Sequence, residues 1–120
     1  MIEIVDPRGP QVLRTLALAV RPARHELRRV GLLCKDPSVA HGTHHFARYL
    51  HIVRRALTDR LGAVEFHQET KPVLTRPAEQ TQLDRFRGWQ VVINGLGKRG
   101  SCTAGSLSDH ANLEAAGIPT

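Results

Sequence analysis

The sequence has few of the residues that mark several common classes of protein. Its two cysteines, Cys34 and Cys102, are too few for a disulfide scaffold and lack the clustered spacing of a zinc site. Five aromatic residues in all (one Trp, one Tyr and three Phe) offer little stacking surface for nucleic-acid bases. No apolar run approaches the roughly 20 residues of a membrane span, and residues 1–7 do not resemble a signal peptide. We therefore expect a cytoplasmic thiol protein without membrane association, cofactor or metal.

The composition is basic, with a net charge of +6 and an isoelectric point near 10.4. The basic residues are scattered along the chain, so their first interpretation is a solvated surface that also suits a small anionic ligand. Nucleic-acid binding is disfavoured, because it needs these charges gathered on one face. A length of 120 residues fits one small domain. Early prolines predict an extended arm at residues 1–27, followed by a single α/β domain at 28–120.

Apolar runs and helical periodicity predict six elements in the order β-α-β-α-β-α. They are strands at 30–34, 63–67 and 89–93 and helices at 43–61, at 78–86 and from about 101 to 117. Such alternation favours a parallel sheet with right-handed crossovers and the strand order 2-1-3, covered by helices as a three-layer sandwich. We expect the chain to be truncated after the last helix, where a fourth strand would normally begin. We expect a homodimer or a partner subunit to complete the exposed sheet edge.

A glycine-rich turn, Gly95-Leu96-Gly97-Lys98-Arg99-Gly100, follows the third strand and leads into Ser101-Cys102-Thr103. This spacing places Cys102 at the start of a helix, where backbone N–H groups and the helix dipole stabilise an anion. Neighbouring cations favour the thiolate further, so the Cys102 thiol should ionise more readily than a free one. We predict Cys102 as the catalytic thiol. The predicted substrate-binding residues are Gly97, Lys98, Arg99, Gly100, Ser101 and Thr103, with Asp109 on the following helix.

Other interpretations of these residues remain open. Cys102 is alternatively a small packing residue, and Cys34 by itself is typical of a buried strand cysteine. Cys34 ends one predicted strand and Cys102 follows another, so we expect both to line one crevice of the sheet. Cys34 is therefore a candidate redox partner if the two Cα atoms approach within about 7 Å. The glycine pattern matches a dinucleotide fingerprint in letters only, because no later strand supplies the acidic ribose ligand. A histidine group is better explained as a solvated helix face than as a metal site; it comprises His41, His44, His45 and His51.

The residues around the turn resemble a known family. Its signature in this chain comprises Gly100-Ser101-Cys102-Thr103, Ser106, Asp109, Leu113-Glu114 and Gly117-Ile118-Pro119-Thr120, with Asp6-Pro7, Arg21-Pro22, Arg29-Val30-Gly31-Leu32-Leu33 and Lys71-Pro72 in the same order upstream. This set is similar to the UGSC-motif (seleno)proteins, and its local block resembles the selenoprotein B subunit of glycine, betaine and sarcosine reductases. The resemblance implies an α/β sandwich with a redox or nucleophilic chalcogen at the turn. Here Arg99 stands at the selenocysteine position and Lys98 where an acidic residue is usual.

These observations lead to one main hypothesis and two alternatives. The first is a UGSC-like thiol protein, an oxidoreductase or thiol-nucleophile subunit that acts on a small anionic substrate through Cys102. The second is a catalytically inactive subunit in which Arg99 and the glycine turn bind an anion or a partner chain. Nucleic-acid binding ranks third.

Overall fold

The computed structural model describes residues 15–35, 44–73, 75–95 and 100–120. Within these ranges the chain forms three strands and three α-helices in the predicted alternating order. The strands are β1 (Arg29–Lys35), β2 (Glu65–Lys71) and β3 (Val91–Asn94), and the helices are α1 (His44–Leu61), α2 (Gln80–Asp84) and α3 (Gly100–Ala115). A short 3-10 helix, Arg24–Glu26, precedes β1. Among the described residues, none of the helices has the length and hydropathy of a membrane span.

The strands form a parallel sheet in the order β2-β1-β3, which confirms the predicted topology. Arg29 pairs with Glu65 and Lys35 with Lys71 across β1 and β2, whereas Leu33 pairs with Asn94 across β1 and β3. The carboxyl ends of the three strands therefore share one edge of the sheet. Ligands of open parallel sheets bind beyond that edge.

The central strand supplies both faces of the sheet because its side chains alternate. On one face, Val30, Leu32 and Cys34 form an apolar cluster with Leu50 of α1. The opposite face carries a second cluster, built from Leu33, Leu83, Phe86, Val92, Leu113 and Ile118. Helices on both faces give the predicted three-layer α/β sandwich. Leu83 and Phe86 are buried, whereas Ala56 on α1 is exposed.

Gly31 is required by the packing of the second face. A Cβ atom at this position would lie 2.6 Å from the Phe86 ring and 2.9 Å from a Val92 methyl group. Both distances are below van der Waals contact, so any larger residue at position 31 would displace the phenyl ring. Gly31, in the middle of β1, thus leaves the space that the fully buried Phe86 ring occupies.

β2 and α2 differ most from their predicted bounds. β2 continues to Lys71, beyond the predicted end at residue 67, because its buried polar residues have partners. Glu69 accepts a hydrogen bond from Arg85 at 2.9 Å, and Lys71 pairs with Asp109. α2 spans only Gln80–Asp84, shorter than the predicted helix at 78–86. Polar residues can extend a buried strand only when such distant groups satisfy them.

The described part of the predicted arm, residues 15–27, has no strand or α-helix. It contacts the domain through Ala19 and Arg21, both of which donate hydrogen bonds to Glu114 of α3. On the free side of β3, the Val92 N–H donates to the Pro119 carbonyl at 2.8 Å. The chain after α3 thus covers part of that sheet edge. The domain boundary at residue 28 and a partner on the remaining edge stay predictions.

Candidate functional site

The candidate site lies beyond the carboxyl ends of the strands, where β3 leads into α3. The Gly95 N–H donates to the Leu33 carbonyl at 2.7 Å, which brings the chain against the end of β1. A Cβ atom on Gly95 would lie 3.1 Å from that carbonyl oxygen and 3.3 Å from the Cys34 Cβ. Because glycine has no Cβ atom, the chain at Gly95 can approach the end of β1 this closely before the glycine-rich turn begins. The predicted site residues Gly97, Lys98 and Arg99 lie outside the described ranges.

The first turn of α3 places Cys102 on the inner side of the helix. Gly100, Ser101 and Thr103 are exposed, whereas only 8% of the Cys102 surface is accessible. The buried positions of α3 include Cys102, Gly105, Asp109 and Leu113, spaced three or four residues apart as expected for one helix face. Cys102 is at the amino-terminal end of this face and belongs to neither apolar cluster.

Asn94 fixes the amino-terminal half of α3 to the sheet. It is the last residue of β3, and its Nδ2 donates to the Ser106 carbonyl at 2.7 Å. Ser106 lies about one helical turn after Cys102. The hydrogen bond therefore couples the position of the thiol to the carboxyl end of a neighbouring strand.

A buried ion pair fixes the middle of the same helix. Asp109 contacts the Lys71 ammonium with Oδ2 and accepts the Ala78 N–H at Oδ1, at 2.6 Å. The Lys71 ammonium also donates to the Arg76 carbonyl at 3.2 Å, and both charged side chains are almost completely buried. The pair joins the end of β2 to α3. Beside it, Lys71 lines a cavity of about 240 Å³ with Arg76 and Gln82.

The sequence singled out Asp109 as a substrate-binding residue but gave no role to Lys71. Both Asp109 oxygens are engaged within the protein, and its part in binding a substrate stays a prediction. The only signal for Lys71 was its place in the family-like Lys71-Pro72 pair. Its partner is 38 positions away, and no local pattern reports such a contact.

Glu114 is a second buried carboxylate whose role the sequence did not indicate. The Arg21 guanidinium donates to both of its oxygens, at 2.8 and 2.6 Å. The hydrogen bonds from Arg21 lower the pKa of the Glu114 carboxyl to about 2 against the opposing effect of burial, and the N–H groups of Thr120 and Ala19 lower it further. One carboxylate thus joins the arm, α3 and the chain after α3.

Cys34 lies on the other face of the sheet from the layer that contains α3. Its side chain packs in the cluster with Leu50, and its sulfur accepts a 3.6 Å hydrogen bond from Gln68 Nε2. Both cysteines are buried thiols. A redox pair between Cys34 and Cys102 stays a prediction, and the sheet that separates their packing layers favours independent roles.

Metal ligation has no support within the described ranges, which contain no group of three or more His, Cys, Asp or Glu residues able to coordinate an ion. His51, one of the four clustered histidines, has an exposed side chain on α1. At the carboxyl edge the structure has a buried thiol, Cys102, in the first turn of α3.

Comparison with known proteins bears on the resemblance noted in the sequence. No solved structure matches the chain. The model of the UGSC family matches residues 3–120, which is almost the entire chain. The similarity to selenoprotein B and the assignment of Arg99 to a selenocysteine position stay predictions. The match includes the arm, the sheet and the glycine-rich turn that leads to Cys102, and the chain therefore belongs to the UGSC family.

Proposed function

We propose that this UGSC-family protein uses Cys102 as a nucleophilic thiol on a small anionic substrate. The observation that carries the proposal is the place of Cys102 in the first turn of α3, directly beyond the carboxyl end of β3. The first-turn N–H groups of a helix have no partner within the helix, and the dipole adds positive potential there. A cysteine in such a position can act as a nucleophile toward an electrophile that the same N–H groups hold.

The substrate would be held by the same turn. Gly100, Ser101 and Thr103 are exposed in the first turn of α3, where their backbone groups can reach a carboxylate or phosphate. Lys98 and Arg99 are proposed to add the charge that selects an anion. At the position of the family's selenocysteine, Arg99 would thus bind the anion with its guanidinium group instead of supplying a reactive selenium.

The proposed reaction is a substitution at an electrophilic carbon of the substrate. The Cys102 sulfur forms a bond to that carbon, while the leaving group departs with the electron pair of the broken bond. The thiol proton is released to water before the attack, and a second nucleophile then displaces the sulfur. In the oxidoreductase form, two cysteines would instead transfer two electrons and two protons to a disulfide-containing acceptor, which becomes two thiols. The different packing layers of Cys34 and Cys102 favour the substitution.

The low exposure of Cys102 favours one alternative, a catalytically inactive subunit that binds an anion or a partner chain. In that case the thiol is a packing residue of α3, and the turn with Arg99 does the binding. Arg99→Ala should then abolish capture of small carboxylates or phosphate, while Cys102→Ala should leave it intact. The reverse result would exclude this alternative. Nucleic-acid binding would require a salt-sensitive mobility shift with DNA or RNA.

The proposal is tested by alkylation with iodoacetamide at pH 7, followed residue by residue by mass spectrometry. We expect Cys102 to react at least tenfold faster than Cys34, because only Cys102 lies at a helix start. Cys34→Ala and Cys102→Ala variants isolate each thiol, and labelling in urea supplies the intrinsic rate of each. Equal, slow labelling of both thiols in the folded protein would reject the nucleophile and retain the binding alternative.

A further inference from the structure

An open pocket of about 520 Å³ lies at the opposite end of the sheet from the thiol. Its lining consists of Arg24, His25, Arg28, Arg60 and Leu61, and we call it the arginine pocket. It is formed where the 3-10 helix leads into β1 and where α1 ends. Its volume falls within the range of small-molecule sites. Four of its five residues can carry positive charge, an arrangement that repels itself unless an anion is bound.

Acidic residues adjacent in sequence do not neutralise the arginine pocket. Glu26 accepts the Ala23 N–H at 3.2 Å, and Asp59 lies 4.0 Å from Arg55. Glu65 pairs with Arg29 at 3.2 Å. Across residues 15–35, 44–73, 75–95 and 100–120, no carboxylate forms a salt bridge with an arginine of the pocket. Arg28 donates from Nη1 to the Leu27 carbonyl at 2.8 Å, which leaves its other guanidinium N–H groups, with those of Arg24 and Arg60, without a carboxylate partner in these ranges.

The wall that carries two of these arginines is fixed by hydrogen bonds. Gln90 Oε1 accepts the N–H groups of Arg28 and Arg29 at 2.7 and 2.9 Å, and its Nε2 donates to the Glu26 carbonyl at 2.9 Å. The Arg28 carbonyl accepts the Glu65 N–H at 2.7 Å, which joins the same segment to the start of β2. A binding surface with a fixed backbone loses less entropy when a ligand is bound.

The charge arrangement selects the chemistry of the ligand. A guanidinium group presents a planar fork of donors that matches phosphate, and several such groups together suit neighbouring phosphates better than one isolated charge. Arg60 also offsets the negative carboxyl-terminal end of α1, which would otherwise repel an anion at this position. Among the described residues that line the pocket there is no Phe, Tyr or Trp, and the His25 imidazole is its one ring, so recognition rests on the charged groups more than on base stacking.

We propose that the arginine pocket binds an oligophosphate, either free or as the terminal group of a nucleoside di- or triphosphate. The pocket recognises the linked phosphates, and any nucleoside attached to them extends into solvent. This site is independent of the thiol chemistry, because it lies at the amino ends of the strands and contains no part of α3.

The test is calorimetric titration of the full chain with inorganic pyrophosphate and with ADP at low salt. We expect both to bind in the micromolar to millimolar range, with inorganic phosphate at least tenfold weaker. Arg60→Gln and Arg28→Gln should each weaken pyrophosphate binding at least fivefold. The matched control is Arg48→Gln, which removes the same charge from an exposed site on α1 outside the pocket, and its effect should be less than twofold.

The outcomes separate the ligand sources and the rival explanations. ADP binding at least tenfold weaker than pyrophosphate would identify a free oligophosphate, and similar affinities would admit the terminal phosphates of a nucleotide; both support the site. Clearly tighter ADP binding would require contacts to the nucleoside and would overturn the proposal. Equal losses in Arg48→Gln and Arg60→Gln would overturn it in favour of diffuse charge. Tighter binding of duplex DNA through the same arginines would also overturn it. Cys102→Ala should bind pyrophosphate like the unmodified chain, so failure of the thiol proposal leaves this one intact.

Discussion

The two faces of the sheet are stabilised in different ways. The α1 face is an apolar cluster around Leu50, and the described side chains of that layer include no buried charge. The α3 face combines an apolar cluster with four buried charged residues, Glu69, Lys71, Asp109 and Glu114. Apolar contacts are non-directional, whereas hydrogen bonds and ion pairs require defined positions. The candidate site thus lies on the face where hydrogen bonds and ion pairs fix the orientation of the helix, in addition to the apolar contacts that bury it.

The strongest test of this difference is to remove one partner of the buried Lys71–Asp109 ion pair. Lys71→Met leaves the Asp109 carboxylate buried without its cation, and we expect the free energy of unfolding to fall by about 3–5 kcal/mol. Urea denaturation measures the change. The double variant Lys71→Met/Asp109→Leu should recover part of the loss, since it removes the uncompensated charge. A single variant within about 1 kcal/mol of the unmodified chain would show that the pair does not stabilise the α3 face.

Acid should weaken the α3 face through Glu114. Its folded-state pKa of about 2 lies below the ordinary value of 4.5, so the contribution is complete above pH 4.5 and is lost as the pH falls towards 2. A difference of this size corresponds to about 3 kcal/mol. Urea denaturation from pH 6 to pH 2 should show the stability gap between the unmodified chain and Glu114→Gln closing by about that amount.

The control for this pH effect is Glu65→Gln, which makes the same chemical change in an exposed pair with Arg29. Its stability gap should stay within about 1 kcal/mol at all pH values, because exposed ion pairs contribute little. If the Glu114→Gln gap were equally flat, the bonds from Arg21 would not stabilise the ionised carboxylate.

The α1 face should respond to loss of apolar volume instead. Among the described side chains of α1, Leu50 is the buried one. We expect Leu50→Ala to lower the free energy of unfolding by about 2–3 kcal/mol, with no dependence on pH between 2 and 6. Urea denaturation at both pH values checks this result. Ile52→Ala, on the exposed side of α1, should change stability by less than about 0.5 kcal/mol. A pH-dependent loss in Leu50→Ala would remove the distinction between the two faces.

The fold was predictable because its signals are local. Val30-Gly31-Leu32-Leu33-Cys34 indicates a strand buried on both faces, and the alternation of elements indicates the order 2-1-3. The end of β2 was missed, since Glu69 and Lys71 are indistinguishable in sequence from exposed residues. Their burial depends on Arg85 and on Asp109, which the chain brings near only after folding.

The elements that flank the candidate site were predictable to a similar extent. The strand, glycine turn and helix start that position Cys102 are contiguous, and the structure has β3 and α3 where they were expected. The low exposure of the thiol was not evident, because it depends on which side of α3 faces the sheet. The arginine pocket was also missed, since its residues come from two segments separated by β1 and most of α1.

Glu114 has a consequence for how the protein opens. Ala19, Arg21 and Thr120 all donate to this one carboxylate, although they lie near opposite ends of the described chain. Because the donors share one acceptor, any fluctuation of α3 that displaces the Glu114 carboxylate breaks these bonds at once and should release both segments together as one cooperative unit. Amide hydrogen exchange at positions 19 and 120 would then proceed at a common rate, which is the rate at which α3 releases the Glu114 carboxylate.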